Sequence, residues 1–156
     1  MYPAKKKEIS QYVIHDMEII HKYLNLEFGF NILDGGRKRI FVDARRVFVQ
    51  ILQAKYNFKA GKAYKLLTLQ DVADYMNYPN HSSIIWLLRN WDTFISWEPR
   101  YQEIYAKILR KVEDNYNIKR NSLLDQKKVL ENDLLLINLQ LKQLESEQEE
   151  SNSQNS

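Results

Sequence analysis

The spacing of apolar positions divides most of the chain into helices. From Ser10 to about Leu26, Val13, Met17, Ile20 and Leu24 recur at three- and four-residue steps and predict an amphipathic helix. Asp43 reads as the N-cap of a second helix running to about Tyr56, with Val47, Ile51 and Ala54 as its inner stripe and Phe48 and Leu52 widening it. Leu69, Val72, Ala73 and Met76 fall at i, i+3, i+4 and i+7 and predict a short third helix. Thr68 caps it, and Asp71 three residues on makes an acidic version of the capping box. Asn77-Tyr78-Pro79 ends it, because a residue before proline is pushed out of the α region. Asn80 then caps a fourth helix with Ile84, Leu88, Trp91 and Ile95 inside. Ser96-Trp97-Glu98-Pro99 opens the next one, serine as cap and proline in the first turn, lined by Tyr101, Tyr105, Ile108, Val112 and Tyr116. Trp86, Trp91 and Trp97 read as core aromatics at helical spacing, stacking on unpaired bases being the alternative.

Two stretches are less regular. Between Phe28 and Phe41 the glycines at 29, 35 and 36 mark turns. Asp34-Gly35-Gly36 either closes a short hairpin with Ile40-Phe41-Val42 extended, or belongs to a loop. Residues 57 to 65 read as a mobile loop, a candidate wing against a phosphate backbone.

From Leu123 the period changes to heptads. Leu123, Leu130, Ile137 and Leu144 lie seven apart, and Lys127, Leu134 and Leu141 fill the second seam position. This is a coiled-coil signature. Lys127 in the seam weakens the coil and fixes its register. Leu135, Leu136 and Leu139 broaden the apolar face, which leaves open a trimer, a tetramer or a second partner surface. The helix folding back on its own chain is the alternative to self-association. Asn115, Asn117 and Asn121 suggest a weak joint before the coil. Glu145 to Ser156 is acidic and rich in serine and asparagine, the composition of a disordered tail.

The third and fourth helices have the layout of a helix-turn-helix, in which the first turn of the second helix enters the DNA major groove. An ordinary helical hairpin fits the same periodicity. Charge shifts the balance toward the first, a solvated lysine-rich surface being the alternative. Between positions 37 and 65 stand nine cations and a single acid, Asp43. Such a stretch is the electrostatic counterpart of a phosphate line. Arg45 and Arg46, read as first-turn residues after an Asp43 cap, oppose the helix dipole, which hints at an anion near that end.

The order Arg37-Lys38-Arg39, Ala44-Arg45-Arg46, Leu69-Gln70-Asp71-Val72-Ala73 and Asn80-His81-Ser82-Ser83 resembles the C-terminal DNA-binding domain of the bacterial replication initiator DnaA, over roughly residues 10 to 95. The resemblance implies an all-α, Trp-repressor-like helix-turn-helix. It places Arg39 in the minor groove and Asn80, His81, Ser82 and Ser83 at base edges in the major groove. It puts Arg45 near backbone or bases and Gln70 at phosphate, and Lys38, Arg46, Lys59 and Lys62 of the basic stretch are read as further phosphate contacts. Three departures stand out. Asn80 replaces the family aspartate, removing an acceptor for cytosine N4. Tyr78-Pro79 replaces the usual Gly-Arg. The connection from Tyr56 to Leu67 is longer than the family's.

The resulting organisation is a disordered start at 1–9, a DNA-binding domain at 10–96, a connecting helix at 97–120, a coiled-coil helix at 121–147 and a disordered tail at 148–156. Leu123, Leu130, Leu134, Ile137, Leu141 and Leu144 carry self-association. The net charge of +3 hides an asymmetry: residues 1–120 hold 20 cations and 13 acids, residues 121–156 hold 3 and 7. With no cysteine, disulfides and thiolate zinc sites are excluded, which fits a reducing interior. No apolar run of about 18 residues predicts a membrane span. Lys5-Lys6-Lys7 is not followed by an apolar signal core. The expected compartment is the cytoplasm: nucleoid-associated, or a host's cytoplasm for a phage protein. No glycine cluster fits a nucleotide cradle, so neither nucleotide nor other cofactor is expected.

The expected function is a non-enzymatic, sequence-preferring duplex-DNA-binding protein in replication or transcription, assembled through its coil. The alternative is a helical structural or interaction protein, phage- or plasmid-encoded among the options, that kept the fold without binding DNA. A catalytic reading is poor. His81 beside Ser82 and Ser83 is no triad, since adjacent helix positions diverge by about 100°. His15 and His21 share no face and read as half-exposed surface residues, not as metal ligands.

Overall fold

The computed structural model describes residues 9–58 and 66–155, and every element among them is a helix. α1 spans Gln11–Phe28. The Ser10 hydroxyl accepts from the Tyr12 N–H at 3.3 Å, and Gly29, at φ 79°, closes the far end by donating its N–H to Asn25 O. Val13, Met17, Ile20 and Leu24 are all buried, as their spacing requires.

α2 spans Arg39–Tyr56 and begins four residues before the expected cap. Lys38 stands at the N-cap with no side-chain cap bond, and Asp43 is buried inside the helix. Ile40-Phe41-Val42 is therefore helical, and the hairpin reading of this segment is corrected. Tertiary packing decides it: the Phe41 ring lies edge-on to Phe30 at 4.6 Å and fills the space beside Gly35. Arg45 and Arg46 are thus the seventh and eighth residues of the helix, past its first turn, where the helix dipole has little hold. Ala54 faces solvent, and the inner stripe is Ala44, Val47, Phe48, Ile51 and Leu52. Asn57, at φ 47°, ends the helix.

α3 spans Leu69–Tyr75 with the Thr68–Asp71 capping box formed in both directions. Asn77 adopts φ 59°, Tyr78 N donates to Ala73 O at 2.8 Å and Asn77 N to Asp74 O at 3.1 Å. That pair of bonds is a Schellman closure with asparagine in the left-handed position, and it ends the helix before Pro79 can. α4 spans Ser82–Leu88; His81 holds the cap position, but the Asn80 Oδ1 accepts the Ser82 N–H at 3.0 Å.

The expected continuous helix through Ile95 is broken. Arg89 is extended, Asn90 turns left-handed at φ 57°, and a separate α5 spans Trp91–Trp97. The break lets Trp91 pack on Tyr105 and Phe94 on Tyr101, at 5.4 and 5.0 Å. Trp91 is half-buried, whereas Trp86 and Trp97 are 54% and 79% exposed and are not core residues. Ser96 lies within α5 and donates to Thr93 O, so it caps nothing.

α6 spans Pro99–Gln154, with proline at its first position. It runs through the asparagines expected to form a joint and through residues 148–154 expected to be disordered. The chain divides into two units. The first ends at Val112 and holds the core, into which the start of α6 buries Tyr101, Ile108 and Val112. The second begins at Glu113.

Candidate nucleic-acid interface

The loop that carries Arg37 and Lys38 is held from beneath by Arg45. That side chain is 7% exposed, and its guanidinium spends all five N–H donors inside the protein. Nε donates to Ile32 O at 2.8 Å, Nη1 to Gly36 O at 2.8 Å and to the Tyr78 hydroxyl at 3.3 Å. Nη2 donates to Leu33 O at 3.3 Å and Asp34 O at 2.8 Å. Arg45 is therefore a strut and not a phosphate contact; that assignment is corrected. Its charge had marked it as a surface residue, but a loop without regular structure leaves carbonyls that only a buried donor can satisfy.

Above the strut, the loop and the start of α4 meet. A groove of about 500 Å³ is lined by Gly36 and Arg37 from the loop, by Ser82, Ser83 and Trp86 from α4, and by Arg45 and Tyr78. Asn80, His81 and Ser82 are exposed and Ser83 is half-buried. A second groove of about 430 Å³ is bordered by Arg39, Arg46, Arg89 and Trp97, and it shares Trp86 with the first. Arg39, at 76% side-chain exposure, pairs loosely with Asp43 and Glu98 at 3.6 and 3.7 Å. Of the expected contacts, Ser82 and Ser83 line the first groove and Arg39 and Arg46 the second, the two meeting at Trp86; Asn80, His81 and Lys38 line neither. Arg37, Arg89, Trp86 and Trp97 line the grooves as well and are not among the expected contacts: Arg37 stands only in the Arg37-Lys38-Arg39 run, and the two tryptophans read as core aromatics with base stacking as the alternative.

Arg46 has two roles here. Its guanidinium lies 5.0 Å from the centroids of both Trp86 and Phe94, and Nη1 donates to Arg89 O at 2.9 Å. Nε is buried with no hydrogen-bond partner. Burial lowers the guanidinium from its ordinary value, opposed by the nearby Asp43 charge. Burial likewise pushes the Asp43 carboxyl up, against the pull of Arg39 and the hydrogen bond donated by the Tyr101 hydroxyl. Arg46 therefore pins the Trp86 ring in place more than it offers charge to a ligand.

Gln70 is half-buried and donates to Asp74 Oδ1 at 2.8 Å along α3, near the helix start. Lys38 is exposed at the head of α2. Lys59 and Lys62, and the loop reading of 59–65, lie outside the described residues, as do residues 1–8. His15 is exposed, but His21 is fixed between the Tyr75 hydroxyl at 3.0 Å and Asn31 Oδ1 at 2.8 Å. No cluster of three or more metal-ligating side chains occurs among the described residues. No described helix is long and apolar enough to cross a membrane.

In the second unit, Leu123, Leu130, Leu134, Ile137, Leu141 and Leu144 are all between 51% and 68% exposed within the single chain.

Comparison with protein-family models, with curated proteins and with solved structures found no match to this chain.

Proposed function

We propose that the first unit is a non-enzymatic, helix-turn-helix domain of the DnaA C-terminal type that grips duplex DNA, and that α6 joins copies of the chain. The observation that carries this reading is the groove uniting Arg37 with Ser82 and Ser83. In it, a basic loop and the exposed tip of a helix border the same space. Arg37, Lys38 and Arg39 supply phosphate and minor-groove contacts. Asn80, His81, Ser82 and Ser83 present donors and acceptors of a size that approaches base edges closely. Joined copies gain affinity through effective concentration. A role in replication or in transcription regulation, inside the cell, is consistent with such a module. The second reading, an assembly protein that does not use DNA, is favoured by the row of exposed leucines on α6.

Titration of the full chain against a random-sequence duplex, followed by selection from a random library, tests the first reading. Binding that weakens steeply with salt, and a recovered sequence preference that Arg39→Ala with His81→Ala abolishes, support it. Affinity weaker than millimolar at low salt leaves the assembly reading.

A further inference from the structure

From Glu113 to the end of the described chain every residue is exposed, so the apolar seam of α6 has no cover within its own unit. The charges beside the seam say what covers it. Residues 119–128 hold Lys119, Arg120, Lys127 and Lys128 against Asp125 alone, and residues 145–150 hold four glutamates and no cation. Lys127 occupies a seam position, and its ion pair to Glu131 at 3.8 Å lies open to solvent on both sides.

In a parallel, in-register pair, Lys127 would meet Lys127 at the closest point of the two helices, and the four glutamates would face four glutamates. Like charges at such positions oppose association. Reversing one helix removes both conflicts. With Leu134 opposite Ile137 and Leu141 opposite Leu130, Lys127 falls opposite Leu144. Its long stem then covers the leucine while its ammonium reaches the adjoining Glu145 or Glu147. The same register sets Lys119 and Arg120 beside Glu149 and Glu150.

We infer that the occupant of this face is a second copy of the chain, running antiparallel, with Lys127 of each copy against Leu144 of the other. This rests on the self-association reading and adds orientation and register to it. At a rise of 1.5 Å per residue, the two Glu113 positions then lie roughly 68 Å apart along the axis.

The chain has no cysteine, so introduced thiols report alone. Full-length Leu123→Cys and Gln148→Cys, one of them mass-tagged, are mixed and oxidised in a glutathione buffer. These positions face each other only in the antiparallel register. Mixed disulfide well above the statistical half supports the inference. Leu123→Cys joined chiefly to itself overturns it while leaving self-association standing. A monomeric mass at all concentrations overturns both. Glu147→Lys with Glu149→Lys provides a second, opposite-signed readout. It weakens an antiparallel pair by tenfold or more, and it tightens a parallel one by relieving repulsion, which would overturn the inference.

Discussion

Arg45 on α2 donates to the hydroxyl of Tyr78, 33 positions along the chain, in the turn between α3 and α4. The same guanidinium holds four backbone carbonyls between Ile32 and Gly36. One side chain therefore ties the basic loop, the scaffold helix and the helix-turn-helix joint together. The aromatic hydroxyl at 78 is what makes the third connection available.

Replacing this strut tests its role. Arg45→Met leaves those carbonyls and the Tyr78 hydroxyl without their donor and should destabilise the first unit by about 3 kcal/mol. Arg45→Lys keeps the charge but offers three donors for five acceptors and should cost about 2 kcal/mol. Urea unfolding measures both. A loss under 0.5 kcal/mol in Arg45→Met, taken as the approximate limit for surface changes, would mean the guanidinium is not structural.

The two glycines of the loop should respond differently. Gly35 stands at φ 81° and an added Cβ would overlap the Phe41 ring, whereas Gly36 stands at φ 64° with open space around it. Gly36→Ala should cost about 1 kcal/mol for the backbone alone, and Gly35→Ala about 2–3 kcal/mol because Phe41 must also move. Equal losses would show that the Phe41 ring gives way freely.

Asp43 links stability to pH. Its folded-state pKa is raised, chiefly by burial, above the ordinary 3.8. The folded chain therefore holds that proton more tightly than the unfolded chain, and stability drops as pH rises from 3.8 through the folded value. Asp43→Asn removes this loss while keeping an acceptor for the Tyr101 hydroxyl. It should be at least as stable as the parent at neutral pH, the advantage vanishing in acid below the ordinary value. Unfolding at a series of pH values checks the sign. With one fewer negative charge beside Arg39 and Arg46, the variant should also bind duplex DNA more tightly.

The tryptophans separate core from surface. Trp91 packs on Phe94 and Tyr105, so Trp91→Ala should cost about 2 kcal/mol of stability. Trp97, 79% exposed, should change stability by less than about 0.5 kcal/mol on truncation to alanine. Thermal unfolding of the two variants side by side would show whether α5 docks through Trp91 and not through Trp97.

If Arg37 and Arg39 contact phosphates, each change to alanine should reduce the slope of log affinity against log salt by about 0.9. Arg45→Lys, compared under conditions where it remains folded, should leave that slope unchanged, because a buried guanidinium releases no counterion from DNA. A parallel reduction in Arg45→Lys would return Arg45 to the surface set.

The sequence by itself determined α1, α3 and the seam of α6, because these depend on periodicity and local caps. Val13 to Leu24 bury a stripe at helical spacing, Thr68 and Asp71 close their box within four residues, and the heptad of leucines declares one face whatever covers it. Only tertiary structure decided the start of α2, the break at Asn90 and the fate of Arg45. Asp43 has the chemistry of a cap, but Phe41 gains more from packing on Phe30 than the helix loses by starting uncapped at Lys38. Ile84 to Ile95 has an unbroken helical period, yet Asn90 breaks it so that Trp91 and Phe94 reach α6. An arginine in a basic run looks solvated until the carbonyls it must satisfy have been brought around it, and those come from a loop whose path no local rule specifies.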